Sequence, residues 1–434
     1  MKKIAFLTQG CRLNQSETAI LSQSFISKGF EVVGTESADI VVVNTCTVTA
    51  RGDKDARNLI SKVNRHNHSV KIAVIGCLAQ IQKEELLKIK NVYWVVGNKD
   101  KLNLPEIIIT SQAKNEAMVM VGEISDEAFE IADPGINPDR TRANLKIQDG
   151  CNNYCSYCIV PYARGPERSR VFKDILKEAK ALAKYGYKEV VLTGINIGSY
   201  SYEGMDLVAV IKGIEAINGI ERIRLSSIEP LPIIDQILEL MKTSKKICRF
   251  LHIPLQSGSN RILKLMGRNV YFEAFKDLVE KAKASIDGLC IGTDIIIGFP
   301  GETKEDFQQT KQNLESLDLS YFHVFSYSDR DGTKASKMEG KVKESEKKQR
   351  SLELRTLSSN KKRHFTEAFI GKELEVLFEE NTRGYWVGLS GNFIRVRVQE
   401  EDITEDLNNE IIKVEAQEVQ DRRGVISLLA IITS

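Results

Sequence analysis

The 434-residue sequence predicts an α/β chain of parallel sheets that ends in a small all-β unit. Three observations carry that expectation. First, Lys3 to Thr8, Ile40 to Thr45, Lys71 to Gly76 and Tyr93 to Val96 are short runs rich in Val and Ile. The stretches between them have helical spacing, the signature of an open parallel sheet. Second, alternation resumes at Arg142, with candidate strands at Leu145 to Gln148, Glu189 to Ile195, Arg222 to Ile228, Phe250 to Pro254, Cys290 to Ile297 and Tyr321 to Phe325. Amphipathic stretches such as Lys173 to Tyr185, Asp206 to Ile217 and Phe272 to Ala284 lie between them, which suggests a partial (β/α)6 barrel. Third, Glu373 to Phe378, Gly384 to Gly388, Phe393 to Val398, Ile411 to Ala416 and Val425 to Ile432 read as short strands of a small barrel or sandwich.

Between the first two units, Lys99 to Arg142 reads as a linker. It carries polar Ser111-Gln112-Ala113-Lys114-Asn115, some short strands, and the punctuation of Asp133-Pro134-Gly135 and Pro138. The expected units are therefore 1–110, a linker 111–141, then 142–365 and 371–434.

Hydrophobic content of 42% and charged content of 28% are ordinary for a globular chain with sizeable cores and exclude wholesale disorder. The apolar run after Met1-Lys2-Lys3 is too short for a signal-peptide core, and no stretch is long enough to span a membrane, so a cytoplasmic protein without a membrane partner is expected. In that compartment eight cysteines point to metal or catalysis rather than disulfides.

Cys151, Cys155 and Cys158 stand in Gly150-Cys151-Asn152-Asn153-Tyr154-Cys155-Ser156-Tyr157-Cys158. Three thiolates can hold three irons of a 4Fe-4S cluster and leave the fourth iron open to a ligand that is not protein. A structural zinc site is the alternative, but zinc wants four closed ligands and no partner knuckle follows downstream. Cys11, Cys46 and Cys77 each follow one of the first three strands. Beyond the carboxyl ends of a parallel sheet they would meet at one edge, as a second three-cysteine set, unless they are unrelated small buried hydrophobes.

The neighbourhoods of all six cysteines resemble the radical S-adenosylmethionine (SAM) methylthiotransferase family. The segments are Gly10-Cys11-Arg12-Leu13-Asn14, Asn44-Thr45-Cys46-Thr47-Val48, Gly76-Cys77-Leu78-Ala79-Gln80 and the CxxxCxxC run from Cys151. The resemblance implies a methylthiotransferase domain with an auxiliary 4Fe-4S cluster on Cys11, Cys46 and Cys77, then a radical-SAM partial barrel and a carboxyl-terminal TRAM domain. It also implies that SAM occupies the open iron of the Cys151 cluster and is cleaved reductively to a 5′-deoxyadenosyl radical. The run from Cys158 to Arg170 and Thr193-Gly194-Ile195-Asn196-Ile197-Gly198 are similar to the branch that methylthiolates carbon 2 of threonylcarbamoyladenosine in tRNA. The expected partners are tRNA, an electron donor and a sulfur source, the last two of unknown identity. Other branches act on isopentenyladenosine in tRNA or on a ribosomal-protein aspartate. A non-catalytic RNA-binding iron-sulfur redox sensor is the reading from another class.

Residues within reach of SAM or substrate at the carboxyl ends of the barrel strands are Tyr157, Asn196, Ser226, Ser227, Glu229, His252, Gln256 and Asp294. For His252 and Asp294 a satisfied polar group inside the barrel is the plainer reading. Cys248 and Cys290 lack ligand spacing and belong in a core. From Lys341 to Arg363 nine Lys or Arg accompany three Glu, either a solvated helix face or a phosphate-tracking surface. In the tail, Arg383, Tyr385, Trp386, Arg395 and Arg397 interleave charge with aromatic surface suited to RNA. From Lys372 on, however, seven Lys or Arg face thirteen Asp or Glu, so RNA contact requires the basic residues to share one face.

Overall fold

A computed structural model describes residues 2–111, 117–403, 405–422 and 424–433. The first sheet has strands β1 (Lys3–Thr8), β2 (Glu31–Val32), β3 (Ile40–Thr45), β4 (Lys71–Gly76), β5 (Val92–Val96) and β6 (Met118–Met120) in the order β2-β1-β3-β4-β5-β6. All its pairings are parallel. Alternation along β3 sends Val41 and Val43 to one face and Ile40 and Val42 to the other, and each face has its own core. Helix Ala50–His66 covers the first face through Ala56, Ile60 and Val63, while Leu21 and Phe25 of helix Arg12–Ser27 cover the second.

Two of these strands escape a pattern reading, β2 and β6, because two or three residues are too few to establish a period. β6 lies in the segment read as linker and extends the first sheet; residues 112–116 of the polar run before it lie outside the described residues.

β7 (Arg142–Lys146) opens the central unit, and β8 (Gln148–Asp149) with β9 (Arg168–Ser169) forms a short antiparallel ribbon around the cysteine loop. β10 (Glu189–Thr193) lies between β7 and β13 (Arg222–Leu225) in the sheet, and the small ribbon of β11 (Ser201–Tyr202) and β12 (Met205–Asp206) falls between β10 and β13 along the chain. β14 (Phe250–His252), β15 (Cys290–Ile297) and β16 (Tyr321–Ser326) form a second parallel sheet. Single bridges at Ile223–Ile247 and Ser227–His252 carry the strand sequence from one sheet to the other. One large core of Leu, Ile and Val lies against both.

β17 (Glu373–Thr382), β18 (Tyr385–Ser390), β19 (Arg395–Gln399), β20 (Ile411–Arg422) and β21 (Val425–Ile432) close into a five-stranded barrel. It caps the amino ends of the central strands. Arg142 pairs with Glu379 at 2.6 Å, Lys188 with Glu410 at 2.6 Å, and Arg222 donates to the Leu389 carbonyl at 3.1 Å. Arg224 donates to the Ser390 and Gly391 carbonyls and lies 5.6 Å from the ring centres of both Phe250 and Phe393. The opposite, carboxyl ends of the strands stay open to the first unit.

The basic run lies on helix Glu344–Glu367, and part of it is structural rather than solvated. Arg350 pairs with buried Glu302, Lys347 donates to the Tyr327 carbonyl, Lys361 to the Glu315 and Leu317 carbonyls, and Arg363 reaches Asp421 at 3.2 Å. No described helix is long and apolar enough to cross a membrane.

Candidate active site

Cys11, Cys46 and Cys77 follow three neighbouring strands, β1, β3 and β4, whose last residues lie level: Thr8 beside Asn44, and Thr45 beside Gly76. Cys11 sits at the amino end of helix Arg12–Ser27, and Cys77 is the first residue of helix Cys77–Ile81. Gly10 has φ +105°, and a Cβ built there would stand 2.6 Å from Cys46 Cβ and 3.2 Å from its Sγ. Only glycine lets the Cys11 loop close on Cys46. Burial pushes the Cys46 thiol up to about 11, with Cys77 and Cys11 adding to the effect, and raises Cys11 as well.

Charged side chains without solvent back this edge. Glu17 pairs with Lys101, with Lys146 at 2.8 Å and with Arg164 at 3.1 Å; Asp149 pairs with Lys146 at 2.7 Å, Arg164 at 2.9 Å and Arg168 at 3.2 Å. Burial by itself would raise both carboxyls, but the surrounding cations hold them well below the usual range. Arg164 closes the short helix after Cys158, and Asp149 precedes Gly150, so the network joins the two cysteine regions. Sequence reading missed these residues because the ion pairs span up to 147 positions.

The second set begins at Gly150, whose φ is +72° and where a Cβ would fall 1.8 Å from the Pro166 carbonyl oxygen. Cys151, Cys155 and Cys158 line a cavity of about 310 Å³ with Tyr157, Asn196, Ser227, Glu229, Gln256 and Asp294. Ser226, expected here, is not on the wall. Its hydroxyl is buried without a partner, while Ser227, on the other side of the extended backbone, faces in. His252 is buried one layer below, with Nε2 3.1 Å from Asp294 Oδ1 and Nδ1 3.3 Å from the Tyr321 hydroxyl. Gln256 has φ +81°, unusual for a side chain of its size, and its amide hydrogen-bonds to the Asp294 carbonyl at 2.8 Å.

Arg268 is the wall residue that pattern reading did not single out. It forks onto Glu229 at 2.6 and 2.9 Å, donates to the Pro254 carbonyl at 2.7 Å, and lies 3.9 Å from Cys155 Sγ. Burial would depress this guanidinium, yet Glu229 raises it overall. Burial pushes the Cys158 thiol up to about 12. The same cavity is walled from the first unit by Val48 and Thr49, two and three residues after Cys46. Ala50 N–H donates to Ser328 Oγ at 2.9 Å, and Arg330 donates to Thr47 Oγ1 and Asp53, so both ends of this wall are tied to the loop after β16.

Among the described residues no three His, Cys, Asp or Glu side chains converge as ligands of a single ion. A four-iron cluster asks for a different arrangement, because its three cysteines bind three separate irons. Three thiols on one wall of a cavity with further polar groups opposite fit that demand at Cys151, Cys155 and Cys158.

Far from the cavity, β18 and β19 set Tyr385 opposite Gln399, and Arg397 opposite Val387, on the outer face of the terminal barrel. Arg395 and Arg397 stand two residues apart on β19 and so share one side of the strand, and burial with the nearby charges of Arg422, Arg395 and Arg383 lowers the Arg397 guanidinium. Arg422, unread in the sequence, donates to the Tyr385 hydroxyl at 2.9 Å and stacks on its ring at 4.5 Å. Trp386 points the other way; it is 8% exposed in the barrel core and offers no stacking surface. Cys248 and Cys290 are buried with Phe250 and Tyr321.

Residues 145–314 match the family described as the radical SAM superfamily, and residues 3–97 match the uncharacterized protein family UPF0004. The fold is similar to that of the radical S-adenosylmethionine methyltransferase TsrM from Kitasatospora setae, with a TM-score of 0.58, 15% identity, and 77% of each chain covered. Fold and cysteine cavity define a radical SAM protein, a class that uses a 4Fe-4S cluster and SAM. The threonylcarbamoyladenosine tRNA methylthiotransferase MtaB of Aquifex aeolicus is 42% identical over 88% of this chain and 94% of its own. That of Bacillus subtilis is 39% identical over 95% and 93%. A tRNA-2-methylthio-N(6)-dimethylallyladenosine synthase from Thermodesulfovibrio yellowstonii is 36% identical over 88% and 89%. The chain belongs to the radical SAM methylthiotransferase family and is a transferase of that kind.

Proposed function

We propose that this enzyme adds a methylthio group to carbon 2 of N-threonylcarbamoyladenosine beside the anticodon of tRNA, using two 4Fe-4S clusters. The observation that carries the reading is the shared cavity: Cys151, Cys155 and Cys158 form one wall, and Val48 and Thr49, next to Cys46, form another. A base held there would lie against Cys151, Cys155 and Cys158 and against the segment that follows Cys46. Relatives named for threonylcarbamoyladenosine at 39% and 42% identity favour that substrate over dimethylallyladenosine. In this reading residues 1–110 form the methylthiotransferase domain, 142–365 the radical SAM partial barrel and 371–434 a TRAM domain.

Hydrogen at an aromatic carbon is neither acidic nor a leaving group, so polar catalysis has no handle on it. Reductive cleavage of SAM supplies the radical that does. The chain's own residues bind, orient and exclude water. Cys151, Cys155 and Cys158 hold the radical-side cluster, and Cys11, Cys46 and Cys77 hold the auxiliary one. Asn196, Glu229, Gln256 and Asp294 offer donors and acceptors to SAM or the base, with Tyr157 beside them. Arg268 fixes the Glu229 carboxylate by a two-pronged contact, the geometry that arginine provides and lysine does not. Arg383, Tyr385, Arg395 and Arg397, with Arg422, offer one basic face to phosphate. The electron donor and the sulfur source remain partners of unstated identity.

Anaerobically reconstituted protein is expected to carry about eight irons per chain, and Cys155→Ala about half of that with no SAM cleavage. Cys46→Ala is expected to keep reductant-dependent formation of 5′-deoxyadenosine while making no methylthiolated nucleoside. Full iron in Cys155→Ala, or product from Cys46→Ala, would sink the assignment. Mass spectrometry of tRNA nucleosides from cells with and without the gene decides the base. Loss of the dimethylallyl product instead would move the substrate to the other tRNA branch, and an unchanged profile would move it off tRNA.

A further inference from the structure

Between the two cysteine sets the protein buries more positive charge than it neutralises. Lys101, Lys146, Arg164 and Arg168 share two carboxylates, Glu17 and Asp149, so four cations face two anions. Lys101 and Arg164 are each 1% exposed, and both carboxylates are fully covered. Charge held out of water needs a counter-charge nearby.

The surplus points at the first cysteine set. Arg164 donates to Asn14 Oδ1 at 2.6 Å, and the Cys11 sulfur lies 3.8 Å from that same oxygen. Lys101 donates to Asn98 Oδ1 at 2.6 Å, and the Asn98 amide nitrogen is 3.6 Å from the Cys77 sulfur. Asn98 thus accepts from Lys101 and donates to the Cys77 sulfur, whereas Asn14 presents Cys11 with the carbonyl oxygen that Arg164 already holds. At the other set Arg268, 3.9 Å from Cys155 Sγ, has Glu229 as a full partner.

We propose that Arg164, by its own buried charge, and Lys101, through the Asn98 amide, are positioning residues that balance an anionic cluster on Cys11, Cys46 and Cys77 and raise its reduction potential. This rests on the two-cluster reading above. Reduction adds an electron to an already negative group, and fixed positive charge in a low-dielectric setting favours the reduced form. The Asn98 amide directed at the Cys77 sulfur acts in the same direction. The two clusters then differ in electrostatic surroundings although their ligand sets are alike.

The test uses full-length protein in which Cys151, Cys155 and Cys158 are all replaced by Ala, so that only the first site loads. Iron content and an EPR-monitored redox titration are read after anaerobic reconstitution. Arg164→Gln and Lys101→Met are each expected to shift the reduction equilibrium at least tenfold toward the oxidised form, about 59 mV for one electron, whereas Arg164→Lys keeps the parent midpoint. Thermal melting of the metal-free proteins reports their folding. Replacing a buried ion by an apolar side chain of similar size is often tolerated, so Lys101→Met decides the matter if Arg164→Gln does not fold. An unshifted midpoint in a loaded Arg164→Gln or Lys101→Met protein overturns the proposal. Absence of iron in the cysteine-depleted parent overturns the two-cluster reading instead.

Discussion

Glu17 shows how one side chain comes to govern a domain junction. It is fully covered, yet Lys101, Lys146 and Arg164 keep it ionised against the cost of burial. A carboxyl held below its unfolded value adds stability that is present above that value, near pH 4.3, and lost as pH falls through the lower folded value. Glu17→Gln is expected to destabilise metal-free protein by about 3–5 kcal/mol at pH 7, since it leaves buried cations short of a partner. The deficit should shrink as pH falls below about 4, where Glu17 of the unfolded parent takes up a proton that the folded protein does not. Urea unfolding of both proteins across that range measures it, and a deficit independent of pH would mean that shape rather than charge holds the junction. Lys101 is likewise held below its unfolded value, which for a cation is a cost at neutral pH. Burial, with Arg164 and Lys146 alongside, pushes its ammonium down to about 8, so its contribution rises with pH from there toward the unfolded value of about 10.4.

At the scale of elements, both cysteine sets depend on turns that only glycine makes. Gly150→Ala would drive a methyl group into the Pro166 carbonyl, on the opposite arm of the ribbon that presents Cys151. It is expected to lower iron to about four per chain and abolish SAM cleavage, with the first cysteine set still loaded. Gly186, with φ +92° and open space around its would-be Cβ, separates backbone strain from collision. Gly186→Ala should cost only about 1–2 kcal/mol and keep all the iron. Equal iron loss in both variants would show that the left-handed backbone, not the Pro166 contact, sets the loop.

Across the whole molecule, the basic face of the terminal barrel and the cysteine cavity lie at opposite ends of the central strands. The terminal barrel covers Phe250 and Arg224 at the amino ends, so deleting everything after Gly371 strips partners from a buried arginine as well as removing the basic face. Such a truncation is expected to lower the melting temperature of the remaining chain. The double substitution Arg395→Ala with Arg397→Ala leaves that interface alone. It should flatten the salt dependence of tRNA binding by roughly one unit per lost phosphate contact while SAM cleavage stays at the parent level. An unchanged slope would assign the RNA to another surface.

The sequence by itself determined four of the six strands of the first sheet, the six central strands and the placing of six cysteines in one short run or just past a strand end, because each is encoded locally in Val and Ile runs of strand length and in thiol spacing. β1, β3, β4 and β15 begin and end where the pattern places them. Only the tertiary structure decided what those elements meet. Whether Ser226 or Ser227 faces the cavity depends on which way one extended backbone is turned, and Trp386 enters the barrel core because β18 pairs with β19 in a register that puts it opposite Val398. Arg268 opposite Glu229, Arg164 beside Glu17 and Val48 on the Cys151 cavity are contacts across 39, 147 and about a hundred positions. No local pattern records such pairs, because the physical cause, a charge or a wall finding its partner after the sheets have formed, exists only in three dimensions.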